Sequence, residues 1–496
     1  MSRYVMAIDQ GTSSTKSMIV DENGRIVASS SAPFPQSFPR PGWVEHDPEA
    51  IWRSVLETTR GALSSARVDA SQLAAVGITN QRETTVVWDR RTGRAVYPAI
   101  VWQDRRTSST CAALESGVSD WVRARTGLRI DPYFSATKVA WILDHVEGLR
   151  DRARRGEIAA GTIDSWLLWR MTGGRVHATD PTNASRTLLM DLAKVAWDDE
   201  LCQLFEVPSS VLGRIEVGGA LIAESDPDVW GSPVAITAVL GDQQAALLAQ
   251  GCVSPGQTKS TYGTGSFVLQ HTGATPLTAS PSLIATAAHR ASGAAPQYAL
   301  EGSIFTTGAA IQWLRDGLGI ITSADETQEL AQSLDDNGDV WFVPALSGLG
   351  APHWDPDARG LLIGLTGGTT KAHVARAALE SIAYQTREVV EAMNAQSGNP
   401  LRELKADGGA THNAWLMQFQ SDVLGVPVVV SASIQATLWG AAYAAGLGAQ
   451  VWHSYNDLPA ASGHVIRYEP SMSDDQRDEL QERWSSALAR SREWTS

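Results

Sequence analysis

Apolar residues along this chain gather into short runs separated by polar, glycine-rich segments. Tyr4-Val-Met-Ala-Ile-Asp9 is apolar, Gln10 to Lys16 is polar, and Ser17-Met-Ile-Val-Asp21 is apolar again. This is the pattern of strand, loop and strand. Asn23-Gly24 is a turn dipeptide, so Arg25-Ile-Val-Ala-Ser29 is predicted to continue as a third, antiparallel strand. A helix is predicted from about Pro48 to Ser65, with Asp47 as N-cap and Pro48 at its first position. The apolar run Leu73–Thr79 then reads as the second strand of a β-α-β unit, and Thr84–Trp88 as a further strand.

The same pattern returns later. Lys259-Ser-Thr-Tyr262, a Gly263-Thr264-Gly265 loop and Ser266–Gln270 repeat strand, loop and strand. Helical patterns follow at about Gly308–Leu318 and His373–Ser397, and an apolar strand leads into Asp407-Gly-Gly409. Two halves that each open on a Gly/Thr hairpin predict a duplicated α/β fold. The boundary is expected near residues 245–256, giving domains 1–250 and 251–496, with Cys252–Gln257 as hinge. The uncharged run Val423–Asn456 contains Pro427, Gln435 and several glycines and serines, so it reads as a buried strand and a small-residue helix, not a membrane span. The C-terminal stretch, rich in Asp, Glu and Arg, reads as a surface helix.

Composition narrows the class. A chain of 496 residues with 43% hydrophobic and 19% charged residues holds two or more globular domains at ~150 residues each. The net charge of −14 argues against nucleic acid or an anionic membrane as the main partner. Cys111, Cys202 and Cys252 are far apart with no C-x-x-C, so disulfide and zinc scaffolds are not expected and a reducing cytoplasm fits. The chain starts directly on a strand, with no signal peptide visible. Asn183-Ala-Ser185 matches a glycosylation acceptor and is read as chance.

The first loop is the strongest chemical signal. Thr12, Ser13, Ser14 and Thr15 carry hydroxyls, Gly11 is flexible and Lys16 supplies positive charge. Such a loop suits phosphate. A carboxylate beside phosphate is repulsive unless a cation intervenes, so Asp9 implies Mg2+. The loop lacks the G-x-x-x-x-G-K-[ST] pattern, so it is not a Walker A loop.

Taken together, the motifs resemble the actin, Hsp70 and sugar-kinase superfamily, and within it the glycerol kinases of the FGGY carbohydrate-kinase family. The residues that carry this are Asp9-Gln-Gly-Thr12, Gly77-Ile-Thr-Asn-Gln-Arg82-Glu83, Ala99-Ile-Val-Trp102-Gln-Asp-Arg-Arg106 and Asp131-Pro-Tyr133-Phe-Ser. They continue with Gly241-Asp242-Gln243, Tyr262-Gly-Thr264-Gly265, Gly348-Leu-Gly-Ala-Pro-His-Trp-Asp-Pro and Leu379-Glu380-Ser-Ile-Ala-Tyr-Gln385. Each is weak alone, but the ordered set from residue 5 to about 450 is specific.

The resemblance implies two actin-like (ribonuclease H-like) domains flanking a cleft, and ATP-dependent phosphorylation of glycerol to sn-glycerol 3-phosphate with Mg2+ near Asp9. It makes Asp242 the general base, where the residues alone read equally well as a helix N-cap. It assigns Arg82 and Glu83 to the polyol hydroxyls, where the bland alternative is a surface ion pair. Gln243 becomes a polyol hydrogen-bonding partner. Trp102, Tyr133 and Phe267 would pack on the carbon backbone, although among 18 tryptophans any single one is more often core. Thr12, Ser13, Ser14 and Lys16 would hold the phosphates from the first domain, and Thr264 and Gly265 from the second. Gly308, Ile311, Gln312, Gly409 and Asn413 would flank the adenosine.

Three departures stand out. Lys16 replaces the family's frequent arginine, Asn413 is followed by Ala-Trp, and Ser431–Trp439 is unusual and bears on nucleotide preference. Kinases for xylulose, gluconate or a tetritol are the nearest alternatives, and an actin-like nucleotide-dependent binding protein is one of another class. The sequence does not choose between a homodimer and a homotetramer.

Overall fold

The structure, a computed structural model, describes residues 3–216, 221–278, 280–291, 293–431, 435–459 and 465–495. The first half is built on β1 (Tyr4–Gln10), β2 (Ser14–Asp21), β3 (Ile26–Pro33), β4 (Leu73–Asn80) and β5 (Ala235–Gly241). They lie in the order β5-β4-β1-β2-β3, with the short strand Ala223–Glu224 outside β5. The β1-β2-β3 pairs are antiparallel, and β1, β4 and β5 are parallel. The turn at Asn23-Gly24 forms as expected, with Gly24 at φ 78°.

The second half repeats this plan with β6 (Thr258–Tyr262), β7 (Ser266–Gly273), β8 (Gln297–Ile304), β9 (Leu404–Asp407) and β10 (Val428–Val430). The order is β8-β7-β6-β9-β10, flanked by Ile284–Ala288 and Ile466–Tyr468. Here too the hairpin pairs are antiparallel, and β6, β9 and β10 are parallel. A smaller five-stranded sheet, containing Thr85–Asp89 and Ile158–Thr162, belongs to the first half.

Strand β1 is covered on both faces, which explains its nearly unbroken apolar run. Met6 and Ile8 face α1 (Pro48–Ala66), packing with Ile51 and Val55. Asp47 caps that helix by accepting from the Glu49 amide at 2.9 Å, as its sequence predicts. Val5 and Ala7 face the opposite way. They meet α2 (Asp242–Ala249) and α3 (Ala436–Gly448), where Leu438, Trp439 and Ala441 close the layer.

Helix α3 thus comes from the second half of the sequence and packs on the sheet of the first. The uncharged run Val423–Asn456 contains strand β10 and this helix, and among the described residues no helix is long and apolar enough to cross a membrane. The helix over Asp474–Ser491 lies on the surface, with Trp484, Ala487 and Leu488 forming a buried seam. The helical pattern at Gly308–Leu318 resolves into an α-turn over Gly308–Gln312 and a wider π-turn over Trp313–Gly317. There Trp313 stacks on Phe342 at 5.3 Å. Cys111, Cys202 and Cys252 are buried free thiols.

Small residues bring α3 into backbone contact with its neighbours. A Cβ on Gly440 would stand 1.9 Å from the Ala245 carbonyl oxygen in α2, and one on Gly77 in β4 would stand 2.1 Å from the Ala441 oxygen. Gly440→Ala is therefore expected to destabilise the fold. Alanine gains up to ~1 kcal/mol of helix propensity. The clash is with backbone rather than a movable side chain, and overpacking costs ~1–3 kcal/mol or more. Gly367→Ala, with no atom within 4 Å of the added Cβ, is the control and should stay within ~0.5 kcal/mol of wild type. Urea titration of both variants checks this; equal stability of the two would refute the close-contact account.

Candidate active site

The carboxyl ends of parallel strands are where α/β sheets present ligand groups. Here the ends of β1, β4 and β5 place Asp9–Gly11, Asn80–Glu83 and Gly241–Asp242 side by side. Asp9 pairs in register with Lys16 on β2 and Thr79 on β4, and Gly241 with Asn80. The Gln81 amide donates to the Gln10 carbonyl at 2.8 Å, tying the two loops together.

Arg82 and Glu83 are not a surface pair. They are 3% and 1% exposed, and Glu83 adopts a left-handed backbone at φ 59°. The Arg82 guanidinium donates to Glu301 at 2.5 and 3.2 Å and to Gln244 at 3.3 Å, and its Nε lies 3.1 Å from Asp242 Oδ1. Glu83 accepts from Arg186 Nε at 2.6 Å, while Arg186 Nη2 reaches Glu301 at 2.9 Å. Gly241 makes room for this arrangement, because a Cβ there would stand 2.7 Å from Arg82 Cδ.

Burial alone would raise the Glu301 carboxyl, but Arg186 and Arg82 hold it at about 2. Burial pushes the Glu83 carboxyl up against the opposing pull of Arg186 and Arg82.

Asp242 opens α2, where the sequence allowed an N-cap. The structure corrects this: Gly241 is the N-cap, and Asp242 is the first helical residue, accepting from the adjacent Gln243 amide at 2.7 Å and paired with Arg82 Nε. Its side chain is 28% exposed, the one exposed carboxylate among the groups around Arg82. Burial raises its pKa above the usual carboxylate range, with Arg82, the Gln243 amide and Lys259 opposing.

Gln243 accepts from Lys259 Nζ at 2.5 Å, so its amide oxygen is occupied. Lys259 is fully buried on β6 and lowered to about 8 by that burial. The aromatic group is assembled as expected. Trp102 and Tyr133 meet edge to face at 5.7 Å, the Arg186 guanidinium lies 5.6 Å from the Tyr133 ring, and that of Arg82 5.9 Å from Phe267. Trp102 Nε1 donates to Thr12 Oγ1 at 3.0 Å, which joins the aromatic wall to the first polar loop.

Around that loop, Ser13 and Lys16 are exposed and Ser14 is half-buried. Burial pushes the Asp9 carboxyl up to about 6; a 2.6 Å hydrogen bond from Thr437 opposes this, and the charge of Asp242 adds to it. Thr437 lies in the unusual Ser431–Trp439 segment, of which residues 432–434 fall outside the described residues.

Across the cleft, Thr264 and Gly265 sit beside Gly308. The Thr264 carbonyl accepts from Thr307 and Ala309, and the Gly263 carbonyl from Gly308. Gly408 passes so close to Tyr262 that a Cβ would stand 2.4 Å from its oxygen, and Gly409 is exposed next to it. Gln312 is exposed, whereas Ile311 is packed into the apolar core at 9% exposure. Asn413 is engaged at both ends of its amide: Oδ1 caps the helix Ala414–Leu424 through the Leu416 amide, and Nδ2 donates to Thr327.

Sequence reasoning did not single out Arg186, Glu301, Lys259, Gln244 or Thr437. The readable signal was a charged residue inside a largely apolar strand at Glu301; Lys259 lies in the polar strand Thr258–Tyr262 and gave no such signal. Arg186 directly follows Asn183-Ala-Ser185, and Asn183 is itself buried against Asn80 and Asp180.

The profile of the FGGY family of carbohydrate kinases matches this chain twice, its N-terminal domain over residues 4–249 and its C-terminal domain over residues 258–449. Glycerol kinase 2 of Thermotoga maritima is 50% identical over 493 residues, 99% of each chain. A glycerol kinase of Delftia acidovorans is 52% identical over 491 residues, 98% of each chain. The crystal structure of Plasmodium falciparum glycerol kinase with ADP superposes with a TM-score of 0.92 at 34% identity, covering 99% of this chain and 98% of that one. Matched in both halves and along almost its whole length, this chain belongs to the FGGY family of carbohydrate kinases.

Proposed function

We propose that this chain transfers the γ-phosphoryl group of ATP to a terminal hydroxyl of glycerol, giving sn-glycerol 3-phosphate and ADP. The observation that carries the reading is the apposition of Asp242 with the Arg82–Glu83 pair beside the Trp102–Tyr133 wall, in a chain half identical to glycerol kinases over its full length.

A primary alcohol is a poor nucleophile until its proton has an acceptor. Asp242 is the acceptor in this reading: the hydroxyl proton passes to its carboxylate, the oxygen attacks the γ-phosphorus, and the bond to the β–γ bridging oxygen breaks to release ADP. Arg82 donates to one vicinal hydroxyl and Glu83 accepts from another, while Gln243, its oxygen held by Lys259, offers its amide N–H. Trp102, Tyr133 and Phe267 cover the carbon chain.

The loops Thr12–Ser14 with Lys16, and Thr264–Gly265, hold the phosphates in line from opposite sides, so catalysis is mostly positioning and charge stabilisation. Gly308, Gln312 and Gly409 border the adenosine, with Ile311 and Asn413 supporting that wall from behind.

Asp9 fits a divalent cation. It is a half-buried carboxylate with one hydrogen bond and a second carboxylate nearby, and among the described residues no cluster of three or more acidic, histidine or cysteine groups could form a full protein cage. Mg2+ commonly binds through one carboxylate plus substrate phosphates and water. Held there, it would neutralise phosphate charge.

Three measurements test this reading. In a coupled ADP-release assay across C3 to C6 polyols and ketoses, glycerol should give the highest kcat/KM. A ketopentose or gluconate ahead by an order of magnitude would refute the substrate, and ADP release indifferent to every polyol would favour the binding-protein alternative.

Asp242→Asn should lower kcat by ~10²–10⁴ while the melting temperature stays near wild type. Asparagine still accepts from the Gln243 amide and removes only the proton acceptor. In wild type, activity should be present above the raised pKa of Asp242 and lost as pH falls through it, above the usual carboxylate range. Retention of more than a tenth of wild-type kcat would move the base elsewhere.

Asp9→Asn should behave differently, requiring more Mg2+ for half-maximal rate and recovering partly as Mg2+ is raised. An unchanged Mg2+ titration would remove Asp9 from the cation site.

A further inference from the structure

Glu301 stands in the middle of β8, within Tyr298-Ala-Leu-Glu-Gly-Ser-Ile304, and is 0% exposed. A carboxylate there is costly unless fully paired. Its register explains its direction. Glu301 lies opposite Leu269 on β7, and Leu269 opposite Lys259 on β6. Residues side by side on adjacent strands share a face, so Glu301 and Lys259 project from the same side of the second sheet. On that side Glu301 meets Arg82 and Arg186, two arginines of the first half.

The donor count is informative. A guanidinium has five N–H groups. Arg82 commits two to Glu301, one to Gln244 and its Nε to Asp242. One Nη2 hydrogen is left, and the two-pronged contact with Glu301 fixes where it points. Through Arg186, the same carboxylate also braces Glu83.

We propose that Glu301 is a positioning residue for the polyol: it reaches from the second half of the chain to fix the orientation of Arg82 and, through Arg186, of Glu83. The inference rests on the reading of Arg82 and Glu83 as the polyol grip. Paired bonds with fixed geometry hold an arginine more rigidly than a point charge does. If Glu301 served only to neutralise buried arginines, any carboxylate at this position would do.

Glu301→Asp separates the two roles, because it keeps the charge and shortens the arm by one methylene. The glycerol KM should rise by about tenfold or more, since a misplacement of order 1 Å at a binding group can cost as much as 10²-fold. The ATP KM should stay within about twofold of wild type, because no nucleotide group is touched.

An unchanged glycerol KM, or glycerol and ATP KM values that rise together, would overturn the proposal. If Glu301→Asp does not fold, the double variant Glu301→Gln with Arg186→Gln removes one buried charge of each sign and leaves Arg82 paired with Asp242. Folded protein with a raised glycerol KM then supports the positioning role. Folded protein with a wild-type glycerol KM, or failure of both variants to fold, overturns it. Wild type is assayed in parallel on the polyol panel. A wild type that prefers another polyol counts against the substrate, and the Glu301 variants are then measured on the preferred one.

Discussion

The site depends on the burial of four charged groups in an alternating chain: Glu83, Arg186, Glu301 and Arg82. All four are at most 3% exposed. Removing such charges from water costs several kcal/mol per ion, which is recovered only if each meets an opposite charge with good geometry. Each does so here, at 2.5 to 2.9 Å. Hydrophobic residues of similar volume would stabilise this interior at least as well, so stability alone does not explain the quartet. What the charges supply is direction. Three of them belong to the first half of the chain and one to the second, so the orientation of the guanidinium beside Asp242 depends on both sheets.

The two carboxylates of the cleft gain different chemistry from similar burial. Burial raises both Asp9 and Asp242, and repulsion adds to each, from Asp242 on Asp9 and from Glu301 on Asp242. Asp242 has Arg82, the Gln243 amide and Lys259 to offset it. That leaves a carboxyl raised by burial with cationic and amide partners that favour its ionised form, the form a general base requires. Asp9 has a single Thr437 hydrogen bond and the exposed Lys16. Its remaining electrostatic deficit is what a cation would fill. Environment, more than residue type, separates the two carboxylates, as their proposed roles of base and cation ligand require.

Local patterns carried the fold a long way. The Gly/Thr loops, the Asn23-Gly24 turn, the Asp47-Pro48 helix start and the return of the same motif after residue 257 were all legible, because each is fixed by backbone preference within a few residues. The placement of α3 was not. Its composition announces a buried small-residue helix, but which sheet it covers depends on a glycine fit against Ala245 and Gly77, far away in sequence. The same limit applied to the site. Residues from separate contiguous motifs lie together, Trp102 against Tyr133 and Arg82 beside Asp242. The N-cap alternative for Asp242 failed by one position, since the cap falls on Gly241. Glu301 and Lys259 were missed because a single charge in a strand gives no hint of its partner until the strands are paired.

Duplication then explains why the missing residues lie where they do. Two sheets of the same design, each with a hairpin loop at one end and parallel strand ends beside it, present similar edges. The first sheet contributes a carboxylate at the end of β1 and another just after β5. In the second sheet the corresponding loops carry Thr264, Gly265 and Gly409, and the carboxylate at that edge, Asp407 at the end of β9, accepts a hydrogen bond from Gln250 at 2.8 Å. The charge the second sheet contributes to the substrate side comes instead from within its strands, at Lys259 and Glu301, whose side chains cross to Gln243, Arg82 and Arg186. Loop ends that look alike have therefore diverged in chemistry, and the reach across the junction is made by strand residues whose partners were set by the pairing of the two halves.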